Sequence, residues 1–280
     1  MSATEHPPHP GWAAILVDAV AKPGVLSTAY TMFWSYSVGN QLSAWFQCMG
    51  RGIEPGPINT FMGWQRLGRF VRRGERALTL CMPVTVRKKR EKCPPADTPS
   101  GDGAERTNEV LTFTRFIYRA HWFALAQTEG RDYVPTSVPE WDEARALEGL
   151  WIERVPFRHA DGNCQGYAAE RRVAVSPVAA LQHKTLIHEV AHVVLGHTAE
   201  LQQMDDHDRT PVNLREVEAE AVALICCESL GLVGADSCRG YIQHWLRGES
   251  IPEKSAQRIF KAADAILRAG REAAGANDGQ

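Results

Sequence analysis

Apolar residues recur at helical spacing over residues 11–22, ending at Pro23-Gly24, and again from Ser37 to Met49 ahead of Gly50, so both stretches are read as helices. A third, short helix is expected from Phe61 to Arg69, followed by a turn at Arg73-Gly74-Glu75. The period then changes. β-Branched and aromatic residues dominate Ala77 to Val86 and Val110 to Arg119, which predicts two strands forming a basic hairpin, and His121 to Ala126 continues the β-region. Between them, Arg87 to Asn108 is rich in Pro, Gly, Asp and Lys/Arg and is expected to be a mobile loop. Glu129 to Pro139 has the composition of a linker, Asp142 to Arg154 reads as a helix, and a Gly/Asn turn at Asp161 to Gly166 separates two short strands ending at Val175. Ser176 as N-cap with Pro177 in the first helical position then opens an apolar-rich helix that Gly196 closes. Another helix starts at Thr210-Pro211 or at Asn213 and ends at Leu230-Gly231. Asp236 to Arg247 and Ile251 to Ala269 complete the series, the last with Ser250 and Glu253 as a capping box. The expected class is α+β: an N-terminal α+β domain over 1–130, a linker over 131–140, and a mainly helical domain with a small β-sheet over 141–280.

The chain has 280 residues, 44% hydrophobic and 23% charged, the composition of an ordinary globular protein. No apolar run approaches the ~20 residues of a membrane crossing, and the first ten residues lack the basic and apolar regions of a secretory signal. A cytoplasmic protein with no membrane partner is expected. The seven cysteines form no C-x-x-C pair and are read as reduced thiols. The net charge of −2 conceals an asymmetry: residues 1–130 carry +5 and residues 131–280 carry −7. Ten Lys/Arg fall between Arg66 and Lys92 against only Glu75 and Glu91, which marks a candidate polyanion surface.

The strongest chemical signal is His188-Glu189-Val190-Ala191-His192, an H-E-x-x-H sequence. Residues four apart share a helical face, so two imidazoles at 188 and 192 can close on one metal ion, with Zn2+ the expected cofactor. Glu189 lies about 100° round the helix, where its carboxylate can take the proton of an attacking water rather than bind the ion. The flanking Leu186-Ile187, Val190-Ala191 and Val193-Val194-Leu195 would bury these polar groups, and buried polar groups need partners.

A catalytic zinc takes three protein ligands. Glu216-Val217-Glu218-Ala219-Glu220 downstream is similar to the E-x-x-A-E/D segment of the gluzincin metallopeptidases, and that resemblance implies Glu216 as third ligand and Glu220 as the acid supporting the first helix. Two readings stay open: a helix starting at Asn213 would make Glu216 part of a capping box, and Glu220 is the next candidate ligand. The metzincin pattern would require a third His at 198, which is Thr198. His197, just after the capping Gly196, is therefore read as a supporting residue rather than a ligand. The gluzincin resemblance also implies that Tyr167 to Val175 is an edge along which an extended peptide can lie.

In the basic half, Phe61 to Arg76 interleaves aromatics with Arg66, Arg69, Arg72, Arg73 and Arg76. Aromatic platforms for bases and a cationic groove for phosphates are what single strands require, with Trp64 as the candidate platform unless it is a core residue. The pattern T-F-x-x-W-x-x-L-G-R-x-V-R-x-G-E from Thr60 to Glu75, preceded by Tyr36-Ser-Val-Gly-Asn40-Gln-Leu, resembles the N-terminal single-stranded-DNA-binding domain of ArdC-type antirestriction proteins. In that family a zincin-like metallopeptidase domain with H-E-L-x-H follows, and Gly240 to Leu246 and Ala256 to Ile266 resemble its closing helices. The resemblance implies single-stranded DNA as partner, with Asn40, Trp64 and the five arginines toward it, a protein or peptide substrate for the second half, and shielding of entering mobile-element DNA from restriction. His197-Thr198 reverses the family's usual order after the motif. A DNA-dependent protease of the Spartan-like class and a non-enzymatic single-strand binder with a structural zinc are the alternatives; Glu189 favours the enzymes, since a closed structural site needs no base.

Overall fold

The computed structural model describes residues 10–89, 110–158, 163–198 and 210–271. The first half contributes α1 (Trp12–Ala21), α2 (Val25–Phe33), α3 (Val38–Gly50), β1 (Ile58–Thr60), α4 (Phe61–Arg66), β2 (Arg69–Val71), β3 (Leu78–Lys89), β4 (Val110–Ala124) and β5 (Thr128–Gly130). The second contributes α5 (Glu143–Gly149), β6 (Glu153–Arg154), β7 (Gly166–Ala169), β8 (Arg172–Val175), α6 (Gln182–Val194), α7 (Val212–Leu230), α8 (Ala235–Trp245) and α9 (Glu253–Ala269). The fold is α+β, with sheets ordered β1-β4-β3, β2-β5 and β6-β8-β7 among the described residues. No single described helix is long and apolar enough to cross a membrane.

α7 organises the core. Of its 19 residues, Val217 to Cys227 are all buried, and α2, α6, α8 and α9 pack around it. A helix buried on every side cannot show an amphipathic stripe, and none is visible in VNLREVEAEAVALICCESL. One apolar core runs from Ile15 and Leu16 of α1 to Ile266 and Leu267 of α9, crossing the 131–140 segment.

The first three helices have no local side-chain cap. Their exposed N–H groups are satisfied from the other half instead. Glu253 of α9 accepts from Trp12 and Ala13 N–H at 2.9 and 3.0 Å, Glu228 of α7 from Leu26 N–H at 3.1 Å, and Asp264 of α9 from Val38 N–H at 2.8 Å. Glu253 is thus engaged with α1, and α9 starts behind Pro252 without the capping box expected at Ser250.

β3 and β4 pair antiparallel over twelve positions, from Lys89↔Val110 to Leu78↔Trp122. Near the body, the free edge of β3 is closed by two amides two turns apart on α3: Asn40 bonds both main-chain groups of Cys81 (2.8 and 2.9 Å), and Gln47 both of Thr79 (2.8 and 2.9 Å). Beyond Cys81 the pair continues as a two-stranded ribbon, on which Phe113 and Phe116 are 49% and 68% exposed, while Tyr118, opposite Cys81, is 42% exposed and meets the Trp12 ring at 5.9 Å.

Several boundaries depart from expectation. α6 begins at Gln182 rather than after Ser176, because Ser176 N–H still bonds Gln165 O in the sheet (2.8 Å) and Pro177 lies in a turn closed by Ala179 N–H to Ser176 O (3.0 Å). β7 and β8 are joined by a turn at Glu170-Arg171, with Glu170 at φ 54°; of the turn expected at 161–166, residues 161 and 162 lie outside the described residues. The helix expected to reach Arg154 stops at Gly149, and Trp151, at φ 57°, turns the chain into β6, which pairs parallel with β8. The loop expected over 87–108 gives up residues 87–89 to β3; residues 90–108 lie outside the described residues.

Candidate metal centre

α6 buries Leu186, Ile187, Val190, Ala191 and Val193, which turns His188 and His192 toward α7. Their Nε2 atoms are 3.1 Å apart, and Glu216 Oε2 lies 3.4 Å from the first and 3.6 Å from the second. These three ligand atoms all fall within 4.8 Å of one another. Because α7 starts at Val212 behind Pro211, Glu216 is the fifth helical residue, which removes the capping-box alternative.

Each imidazole is held from behind. His188 Nδ1 is 2.8 Å from Glu220 Oε2, whose other oxygen is 2.8 Å from Lys184 Nζ. His192 Nδ1 is 3.0 Å from His197 Nδ1, and His197 Nε2 is 2.9 Å from Glu218 Oε2. His197 gets there through a Schellman turn: Gly196, at φ 77°, reverses the chain so that His197 N–H bonds His192 O (2.9 Å) and Gly196 N–H bonds Val193 O (3.0 Å).

The imidazoles and carboxylates of this cluster stabilise one another's charged forms. Burial pushes the His188 imidazole down, but Glu216 and Glu220 beside it more than offset this and hold it up at about 9. His188 and His192 in turn hold Glu216 well below the usual carboxylate range, and for Glu220 burial is outweighed by His188 and Lys184, down to about 2. Two imidazole nitrogens and a carboxylate oxygen converging on one point are a donor set suited to a divalent ion.

Glu189 stands beside this trio rather than in it. It is buried, and burial raises its carboxyl despite the pull of His188 and His192. β7 passes so close that a Cβ on Gly166 would lie 3.0 Å from Glu189 Oε1, 2.8 Å from Thr185 Cγ2 and 3.0 Å from Ala174 O. Gly166→Ala should therefore displace Glu189 and cost about 1–3 kcal/mol of stability. Urea unfolding of the variant checks this, and an unchanged midpoint would contradict it. β7 is the outer strand of its sheet, and Ala168 lines a cleft of ≈ 260 Å³ with Glu189, His192, Arg215 and Glu216.

Of the residues expected toward DNA, Arg69 and Arg72 meet at Thr128 O, and Trp64 and Asn40 serve the fold. Trp64 is 1% exposed; its Nε1 donates to Phe123 O (2.8 Å) and its ring meets Tyr133 edge-on at 5.2 Å. It is a core residue and cannot be a stacking platform. Asn40 closes the β3 edge. Arg69 donates to Thr128 Oγ1 (2.8 Å), Thr128 O (3.2 Å) and Arg131 O, and Arg72 to Thr128 O (3.4 Å), Ala126 O and Glu75 (3.0 Å), so both tie β2 to the segment around β5. Arg66, Arg73 and Arg76 are exposed. Sequence reasoning missed Lys184, Glu218 and Gly166. Lys184 carried a signal, four residues before His188 on one helical face; the other two depend on tertiary approach.

Residues 18–120 match the family model of the N-terminal domain of anti-restriction factor ArdC. Over 92% of its length the chain also superposes on the antirestriction ArdC protein from R388 plasmid. The metal-free structure of that protein gives a TM-score of 0.51 at 20% identity and 94% of its own chain covered; the Mn(II)-bound one gives 0.51, 19% and 97%. No curated protein sequence matches the chain. The protein thus has an ArdC-type N-terminal domain and, as a whole, the ArdC fold.

Proposed function

We propose that this is an antirestriction protein of the ArdC type that binds single-stranded DNA with its first half and holds a divalent ion, zinc by preference of the donor set, in a peptidase-like centre in its second. The observation that carries the reading is the convergence of His188, His192 and Glu216 with a buried Glu189 beside them and an outer strand, β7, running past. The Mn(II) bound by the R388 protein of the same fold supports a divalent ion here. His188, His192 and Glu216 would hold it. Such an ion polarises a carbonyl and a water. Glu189, its proton affinity raised by burial, accepts the proton of the attacking water and passes it to the leaving amine. An extended peptide bonded along the four residues of β7 would lie across the cleft.

The reading is tested with Glu189→Gln. The amide cannot accept a proton, so cleavage of a fluorogenic peptide library, with single-stranded DNA present, should fall at least ~100-fold while metal content stays that of the wild type. Equal cleavage by both proteins would remove Glu189 from the chemistry.

With Trp64 in the core, the β3–β4 ribbon is the better DNA face. Residues 78–89 and 110–124 contain five Arg/Lys and no acid, and exposed Arg115 and Arg119 alternate with Phe113 on one face while Phe116 and Tyr118 mark the other. Phe116→Ala in the full chain should weaken single-strand binding by ~1–3 kcal/mol without changing its salt dependence; Arg115→Ala should flatten the log–log salt slope by about 0.7. Unchanged affinity in both would move the DNA face elsewhere.

A further inference from the structure

We propose that Glu218 is a positioning residue of the metal centre, acting through His197 to fix the ring and the proton of His192. The proposal rests on the reading that His188, His192 and Glu216 hold a divalent ion. Glu218 is the acid of the Glu216-x-Glu218-x-Glu220 series that points away from the trio, and its side chain is fully buried, with 0% exposure. A carboxylate in that position needs compensation. It receives His197 Nε2 at 2.9 Å on Oε2, and the Arg258 guanidinium of α9 stands 3.5 Å from the same oxygen. Arg258 is itself fixed by bonds to Leu195 O at the end of α6 (2.9 Å) and to Thr210 Oγ1 ahead of α7 (3.0 Å).

The proton positions follow from hydrogen-bond chemistry. His192 Nε2 faces His188 and Glu216, so it must offer a lone pair to an ion, and the ring proton of a neutral His192 is then on Nδ1. That nitrogen meets His197 Nδ1 at 3.0 Å. Two N–H groups there would clash and two lone pairs would repel, so His197 Nδ1 accepts. The His197 proton is then on Nε2, opposite Glu218. A carboxylate only accepts, so Glu218 selects this tautomer of His197, and His197 selects that of His192. His188 is oriented by Glu220 directly, so the two histidine ligands are positioned by separate devices, and the one behind His192 has an extra imidazole in it.

The experiment uses the full chain. Zinc affinity is measured by chelator competition for the wild type, Glu218→Gln, His197→Phe and the double variant, with thermal unfolding of each metal-free protein alongside. The amide of Glu218→Gln can turn its NH₂ toward His197 and force the opposite tautomer. Each single variant should bind zinc about 10- to 100-fold more weakly, and the double variant no more weakly than the worse single one, because the three groups act as a unit. ¹⁵N–¹H spectra of the zinc-loaded wild type should show His197 protonated at Nε2 and bare at Nδ1, a readout that needs no variant to fold. Wild-type affinity in both single variants, or a His197 protonated at Nδ1, overturns the relay while leaving the metal centre standing. A wild type that binds no zinc or manganese overturns the metal centre and the relay together.

Discussion

Glu216→Ala should cost the protein its ion: with one of three converging ligands gone, affinity for Zn(II) is expected to fall by more than ~100-fold, beyond the range usual for loss of a supporting partner. The carboxylate is 43% exposed and lies in the second turn of α7, just ahead of the buried stretch Val217–Cys227, so the substitution should leave the fold intact. Glu220→Ala makes the contrast. Glu220 touches His188 Nδ1 and Lys184 rather than the converging atoms, and its loss should weaken binding by only about 10- to 100-fold. Elemental analysis after dialysis, with chelator competition for the constants, reads both. Full occupancy in Glu216→Ala would take Glu216 out of the centre.

Trp64→Ala should damage the fold rather than DNA contacts. The indole is among the largest fully buried side chains, and its N–H satisfies Phe123 O on β4. Truncation leaves a cavity and an unpaired carbonyl, for an expected loss of about 3–5 kcal/mol. Urea unfolding gives the loss directly. At temperatures where the variant stays folded, single-strand affinity should match that of the wild type. A stability change under ~1 kcal/mol together with weakened binding would return Trp64 to the role of platform.

That reversal shows where sequence reasoning runs out. A tryptophan flanked by arginines reads the same whether its ring stacks on bases or fills a core, and only the approach of Phe123 and Tyr133 decides. Arg69 and Arg72 look like a phosphate groove until Ala126 and Thr128, at and just before β5, supply the carbonyls that engage them. The ribbon aromatics were hidden for the opposite reason: a strand pattern suggests one buried face, whereas Phe113 and Phe116, on opposite faces of the ribbon, are both exposed. α1 and α3 were legible from their own periodicity. α2 was missed because Gly24 gives it no local cap; its cap is Glu228, some 200 residues on. Conversely, the H-E-x-x-H pair was legible because four-residue spacing on a helix is a local matter, and so was the left-handed Gly196 that ends it. The approach of α7 turns Glu216 toward His188 and His192 and Glu218, two residues on, toward His197, which no local pattern distinguishes.

One apolar core crosses the segment 131–140. Carboxylates from α7 and α9 cap α1, α2 and α3, so experiments on DNA binding belong on the full chain.

The most direct test of the metal centre is anomalous scattering from crystals of the full chain equilibrated with Zn(II) or Mn(II). One ion per chain is predicted, within ~2.0–2.2 Å of His188 Nε2, His192 Nε2 and a Glu216 oxygen, with Glu189 outside the coordination sphere. An ion bound elsewhere, or none at the three residues under saturating metal, would contradict the account.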